Sequence, residues 1–406
     1  MKPAEDLQLA TAAFQRKLNA VKESLGAQDF PWYPYDTFGS TRPLDALLLP
    51  NSVELLKKLA GNQPVLDVGC GDGELSFFLE SCMDSPNCQI DAVDYPPTNH
   101  NGMRGIRRLK EALGSKVAIH EMDIDDGLNL PRPLYGLTLL LGILYHLKNP
   151  FRVLERLAEH SQFCLLSTRV AQTTPRGARM GDEALAYLVG EYELNADESN
   201  YWIFSEAGLR RILERTGWKV HGLVKTGNTA NSEPVRLDRD ERATCLIESL
   251  RAPRRDAPRL VSGWHEDEGG WRWTSREFAV EITKHPLEPM QSAGNRLEFR
   301  FALHPDVAAA LGAVTLRARI GDRDLGAQMF QGAGEHIYTA EVPVPVLPPK
   351  GAPALDKTAG DLRIDFALDR AYQPPSPDRR ELGLQVTFEK TGATGLRQFT
   401  DPIRLP

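Results

Sequence analysis

Two rhythms of apolar residues divide the chain near residue 250. Before that point, apolar residues either recur every three or four positions or bunch into short unbroken runs, and the two patterns take turns. Residues 4–26 carry helical spacing, with Leu7, Phe14, Leu18, Val21 and Leu25 on one face and Gly26 as the stop. An aromatic, proline-bearing stretch follows: Phe30-Pro31-Trp32-Tyr33-Pro34-Tyr35-Asp36-Thr37-Phe38-Gly39. A helix is predicted over 51–60 with Asn51 as its cap, then a buried strand over 65–68. Strands at 89–93, 116–122, 137–141 and 163–167 come next, with helices at 104–113 and 150–160 between them. A helix at 205–216, opened by Ser205-Glu206 and closed by Gly217, precedes strands 218–224 and 244–249, which are expected to pair antiparallel. Strands apolar on both faces and joined by helices predict an α/β fold, here a doubly wound, Rossmann-like sheet of seven strands.

After residue 258 the period changes to two. Leu297/Phe299/Phe301/Leu303, Val314/Leu316/Ala318/Ile320, Leu362/Ile364/Phe366/Leu368 and Leu382/Leu384/Val386/Phe388 each alternate with polar residues. Several short strands with Pro- and Gly-rich connections predict an all-β sandwich. Arg251-Ala252-Pro253-Arg254-Arg255-Asp256-Ala257-Pro258 reads as a linker, and 351–360 as a loop. The expected organisation is an N-terminal helical and lid segment at 1–50, the α/β domain at 51–250, the linker at 251–258 and the sandwich at 259–406. A length of 406 residues also favours two cores over one.

Charge and cysteines narrow the function classes. From Arg251 onward 21 basic and 21 acidic residues balance, so the whole net charge of −7 lies before it. A phosphate backbone is repelled on average by such a domain, which disfavours a nucleic-acid partner. Cys70, Cys82, Cys88, Cys164 and Cys245 are scattered, with no CxxC, so reduced thiols and no metal site are expected. No run reaches the roughly 18 apolar residues of a membrane span, and the first residues lack a signal-peptide core. A cytoplasmic location is the expectation.

The strand at 65–68 runs into Asp67-Val68-Gly69-Cys70-Gly71-Asp72-Gly73, and a helical pattern (Leu75, Phe78, Leu79) follows. Gly69 and Gly71 permit positive φ and leave no Cβ between backbone and ligand. Asp67 can accept a hydrogen bond from an ammonium group. This combination suits S-adenosylmethionine (SAM). A dinucleotide fingerprint needs a third glycine where Glu74 stands, and Asp72 faces a pyrophosphate badly. The plain alternative is a β–turn–α corner without a ligand. Asp94, ending the second strand, is placed to accept both ribose hydroxyls, against a reading as a turn residue in Asp94-Tyr95-Pro96-Pro97. Asp123 is a candidate for the adenine amino group, with Met122 or Ile124 covering the ring, or else a cap in Asp123-Ile124-Asp125-Asp126-Gly127.

The fourth strand leads into Gly142-Ile143-Leu144-Tyr145-His146-Leu147-Lys148-Asn149-Pro150. Ligands bind at the carboxyl ends of such strands, so Gly142, Tyr145 and His146 are expected beside the reacting sulfur. His146 is a candidate general base, or else bonds only the loop backbone. Tyr33 and Tyr35, Tyr201 and Trp202, Arg169 and Arg242 are candidates for the acceptor pocket, each with packing or a surface role as its alternative.

These residues resemble class I SAM-dependent methyltransferases, and more narrowly the branch that includes the bacterial tRNA wobble-uridine carboxymethyltransferase. Val65-Leu66-Asp67-Val68-Gly69-Cys70-Gly71, Gly142-Ile143-Leu144-Tyr145-His146 with Asn149-Pro150, and Asn200-Tyr201-Trp202-Ile203-Phe204-Ser205 carry the resemblance, over roughly residues 30–250. It implies that Asp67, Gly69 and Gly71 hold the methionine end, Asp94 the ribose and Asp123 the adenine side, with Tyr145 and Arg242 near the transferred group. Where the branch continues with two arginines, Leu147-Lys148 stand here, and its lysine for carboxy-SAM has no counterpart in residues 30–39. Plain SAM is therefore the expected cofactor. The C-terminal region, with Gly263-Trp264-His265-Glu266 and Gly269-Gly270-Trp271-Arg272-Trp273-Thr274, is similar to β-sandwich modules of bacterial glycan-processing transferases. Trp264, Trp271 and Trp273 are read as sugar-stacking or as packing residues. The expected function is methyl transfer to an oxygen or nitrogen of a small molecule or glycan precursor. A tRNA-modifying enzyme and a non-catalytic SAM-binding module are the alternatives.

Overall fold

The computed structural model describes residues 6–83, 89–253, 259–283, 296–342, 361–376, 378–391, 397–399 and 403–404. Cys88, residues 254–258 of the expected linker and the expected loop at 351–360 lie outside them. The chain divides into two compact units, Met1–Pro253 and Arg254–Pro406.

The first unit opens with α1 (Leu7–Leu25), capped where the Asp6 carboxylate accepts the Gln8 and Leu9 amides. Next come α2 (Thr41–Leu48), which the sequence did not mark, and α3 (Ser52–Ala60). The alternating region follows as β1 (Val65–Val68), α4 (Glu74–Cys82), β2 (Ile90–Asp94), α5 (Arg104–Leu113), β3 (Ala118–Glu121), β4 (Tyr135–Leu141), α6 (Pro150–His160) and β5 (Ser161–Val170). It closes with β6 (Ala186–Leu188), β7 (Trp202–Phe204), α7 (Glu206–Arg215), β8 (Trp218–Gly227) and β9 (Glu241–Ser249).

β1 is buried at all four positions and β5 at all ten, which is why Val65-Leu66 and Phe163-Cys164-Leu165-Leu166 read as short apolar runs. The parallel order is β3-β2-β1-β4-β5, and β9 then pairs antiparallel with β5 and β8 with β9. These seven strands are the expected sheet. Two further short strands, β6 and β7, attach at the end of β5 through Val170 and Phe204. Strand order reverses between β1 and β4, so their carboxyl ends open the crevice where such sheets bind ligands. Below it Leu66, Leu140, Leu154, Leu157, Cys164 and Leu166 form a closed core, and Trp218 donates its indole N–H to the Leu154 carbonyl at 3.0 Å. No described helix is long and apolar enough to cross a membrane.

The second unit contains β10 (Arg259–Trp264), β11 (Trp271–Thr283), β12 (Arg296–Leu303), α8 (Pro305–Leu311), β13 (Val314–Ile320), β14 (Arg323–Phe330), β15 (Gly334–Glu341), β16 (Asp361–Leu368) and β17 (Gln385–Thr387). Its antiparallel order is β14-β13-β16-β11-β17-β12-β15. The predicted sandwich is in fact one sheet that nearly closes into a barrel. β11 makes the turn possible: Trp271–Trp273 pair with β17, while Glu277–Thr283 pair with β16. At the outer ends Gln328 on β14 exchanges two hydrogen bonds with the Thr339 backbone on β15. Phe278, Phe299 and Phe366 meet in the centre, with ring centroids 4.9–5.7 Å apart. Trp264 donates to the Ala279 carbonyl at 2.9 Å and packs on Phe278, and Trp273 is buried against His304. Both are therefore packing residues; Trp271 lies half-buried against Trp273.

Candidate active site at the tips of the parallel strands

The site begins where β1 ends. Gly69 has φ of 73° and Gly71 of 56°, a region that side chains disfavour. At Gly69 a Cβ would come within 2.1 Å of Ile143 Cδ1, so the loop after β4 is pressed against bare backbone. Asp67 is buried and accepts the Ser76 hydroxyl at 2.5 Å. Burial pushes its carboxyl up to about 6, the Ser76 hydrogen bond pulls against this, and Asp94 adds repulsion. A bound cation would relieve that unfavourable charge.

Asp94 is pinned at the end of β2. Its Oδ2 accepts the Gly71 amide at 2.8 Å and the Asn99 amide at 3.0 Å, and its Oδ1 accepts the Tyr95 amide at 2.8 Å. Burial raises its pKa while these three donors lower it. The carboxylate keeps lone pairs for further donors such as ribose hydroxyls. The Met122 amide bonds the Asp94 carbonyl at 2.9 Å, bringing the end of β3 alongside. Asp123 accepts the Asp125 amide at 3.0 Å, and Ile124 is half-buried on the core. Buried acids and a side-chain-free turn at a topological switch point fit the ammonium, ribose and sulfonium of SAM.

The aromatic segment 30–39 lies over the glycine loop. A Cβ at Gly71 would touch the Tyr33 ring at 3.4–3.5 Å. Burial, with Tyr145 and Asp94 adding repulsion, pushes the Tyr33 phenol up to about 12. Tyr35 stacks edge-on against Tyr33 at 5.3 Å and is largely exposed. The sequence reading missed what holds this segment down. Buried Asp72 accepts the Tyr33 amide at 2.7 Å and the Asn101 amide at 2.8 Å, and Asn101 also donates to the Pro31 carbonyl at 3.1 Å. Glu74 binds Lys22 at 2.6 Å and the Thr37 hydroxyl. Two acids directly after glycines were the available signal.

The opposite wall is built from distant segments. Gly142, at φ of 77°, ends β4 and donates to the Ser167 carbonyl at 2.9 Å. The Tyr145 and His146 rings lie 4.3 Å apart, and the Arg242 guanidinium sits 5.7 Å from the Tyr145 ring centroid. Arg242 is held by Asp240 at 3.3 Å, and Tyr145 and Asp240 raise its pKa against the effect of burial. The Tyr201 amide bonds the Tyr145 carbonyl at 2.8 Å, and Trp202 donates to the Lys148 carbonyl at 3.3 Å. His146 Nδ1 lies 3.1 Å from the Ser199 carbonyl and 3.0 Å from the Ser199 hydroxyl, and burial lowers its pKa. Arg169 is buried and engaged by Asp240 at 3.1 Å and by the Arg236 carbonyl at 2.6 Å, so its guanidinium faces the 233–240 loop. Among the described residues, no three His, Cys, Asp or Glu side chains gather as a metal site.

Residues 41–223 match the family model of a methyltransferase domain. The N-terminal half accordingly carries a class I SAM-dependent methyltransferase domain, with SAM as cofactor. It is similar in fold to the N-terminal domain of EvdMO1 with SAH bound, at 16% identity over 58% of this chain and 96% of that one, TM-score 0.38. An S-adenosylmethionine-dependent methyltransferase from Mesorhizobium loti is similar at 14% identity over 48% of this chain and 95% of that one, TM-score 0.34. The mitomycin 7-O-methyltransferase MmcR is similar at 15% identity over 49% and 55%, TM-score 0.32. No curated protein matches the chain.

Proposed function

We propose that the enzyme methylates an oxygen or nitrogen of a small-molecule or glycan-precursor acceptor. Asp67, Gly69 and Gly71 take the methionine end of SAM, Asp94 the ribose hydroxyls, and Asp123 with Ile124 the adenine side; Gly142 lines the sulfur. When bound, SAM supplies a methyl group on a positively charged sulfur, open to in-line displacement. The chain's part is to align the acceptor and to remove its proton. Tyr145 and His146 line the transfer point, and Arg242 holds an acidic group on the acceptor. Tyr33, Tyr35, Tyr201 and Trp202 supply flat surfaces around it, while Arg169 braces the loop that carries Asp240. Residues 1–50 act as the lid and 51–250 as the catalytic domain.

The observation that carries this reading is the glycine loop itself: the Gly71 amide donates to Asp94 at 2.8 Å with the Tyr33 ring packed over the same glycine, and a Cβ at Gly142 would meet the Tyr145 hydroxyl at 3.8 Å. The acidic balance of the first unit argues for a small acceptor over a nucleic acid. Incubation of a metabolite pool with isotopically labelled SAM, read by mass spectrometry, identifies the acceptor by its mass gain. Label found only in tRNA would overturn the assignment.

A further inference from the structure

We propose that Ser199 and Asp197 are positioning residues that fix His146 as the Nδ1–H tautomer and leave Nε2 as the proton acceptor; this rests on the placement of His146 at the transfer point. The geometry is specific. A backbone carbonyl can only accept, so Nδ1, at 3.1 Å from the Ser199 oxygen, must carry the proton. The Ser199 hydroxyl, 3.0 Å from the same nitrogen, donates its own hydrogen to Asp197 Oδ1 at 2.6 Å and so turns a lone pair toward the imidazole. Asp197 Oδ1 also accepts the Ser199 amide at 2.9 Å, which locks the turn. Nε2 has no partner among the described residues, and it is not one of their sealed, unpartnered polar atoms.

The turn is built at a cost. Asn195 and Ala196 both adopt left-handed backbone, with φ of 59° and 50°, directly before Asp197. Buried Asn200 ties it from within, donating to the Leu194 carbonyl at 3.3 Å and the Asp197 carbonyl at 3.1 Å. Strained backbone of this kind persists where the surroundings enforce it, often at working sites. The charged and titratable groups facing His146 are Asp197, Arg242 and, across the ring contact, Tyr145. Asp197 favours the imidazolium and Arg242 opposes it, while burial keeps the resting imidazole neutral.

As the acceptor oxygen or nitrogen bonds the methyl carbon, the carbon–sulfur bond breaks with its electron pair left on sulfur, and the acceptor's proton passes to Nε2. The imidazolium so formed faces Asp197 through the Ser199 hydroxyl.

Nitrogen NMR of histidine-labelled full-length protein tests this without any acceptor, with His146→Gln assigning the signal. The expected result is a neutral ring protonated on Nδ1 at pH 7.5. Its titration midpoint should fall by roughly half a pH unit in Asp197→Asn and in Ser199→Ala, and return in Ser199→Thr, which keeps the hydroxyl. A proton on Nε2 in the wild type, or a midpoint unmoved by both variants, would overturn the relay. SAH release from SAM with a small-molecule cell extract separates the two claims. Activity unaffected by His146→Gln would refute the placement of His146 at the transfer point, whatever its tautomer. Loss of activity in that variant together with an Nε2–H wild type would refute the relay alone.

Discussion

The two walls of the crevice are built in different ways. The proposed cofactor wall is local: Asp67, Gly69, Gly71 and Asp94 lie within 28 residues, on two adjacent parallel strands and the turn after the first. The proposed acceptor wall draws Tyr33, Tyr145, His146, Ser199, Tyr201 and Arg242 from four separated stretches; Ser199 and Tyr201 are bonded to the 145–146 turn, and Arg242 lies over the Tyr145 ring. A cofactor common to many reactions can be met by a short fixed motif. An acceptor particular to one reaction needs a surface that loops can reshape without disturbing the sheet.

The sharpest way to break that contrast is Asp94→Ala. It removes the proposed ribose acceptor and the anchor of the Gly71 amide together, so SAM affinity should fall by about 100-fold or more. Isothermal calorimetry reads it; an unchanged affinity would sink the ribose assignment. Tyr145→Phe should act on the other wall only, lowering SAH release about 10- to 100-fold with SAM affinity nearly unchanged. Equal losses of binding in the two variants would mean that the walls are not separable.

Acidity should reach the cofactor wall first. Asp67 sits at about 6 in the free protein, so it is ionised at pH 7 and increasingly protonated below 6. A cationic ligand selects the ionised form, so affinity should be nearly full at pH 7 and above, and fall by up to about tenfold per unit well below 6. Calorimetry in buffers of different protonation heat would detect proton release on binding near pH 6. A flat profile would mean that Asp67 does not meet the ammonium. The smallest effect is expected from Asp72→Ala. It leaves the Tyr33 and Asn101 amides without their acceptor, which should cost about 1–3 kcal/mol of stability in thermal unfolding. SAM affinity should fall by less than in Asp94→Ala.

What was legible in the sequence follows the same division. Strands β1, β4 and β5 announced themselves because both faces are buried, and the glycine turn because it needs two residues without side chains. The roles of Asp72 and Glu74 were hidden, since their partners Tyr33, Asn101, Lys22 and Thr37 lie 29 to 52 residues away. Ser199 and Asp197 were hidden likewise: 53 residues separate Ser199 from His146, and nothing in the sequence marks a serine as the neighbour of a distant ring. In the second unit the alternating strands were visible. The near-closure of its sheet was not, because it depends on β11 serving two partners along one length.

The segment over the glycine loop is fastened at several points: the Tyr33 amide bonds buried Asp72, Asn101 holds the Pro31 carbonyl, and Glu74 holds Thr37. A molecule seated beneath that segment departs by a side opening or after the fastenings part. With SAH in the proposed place, its departure by the second route would need all of these bonds to part together, so release rather than bond-making at sulfur would limit turnover.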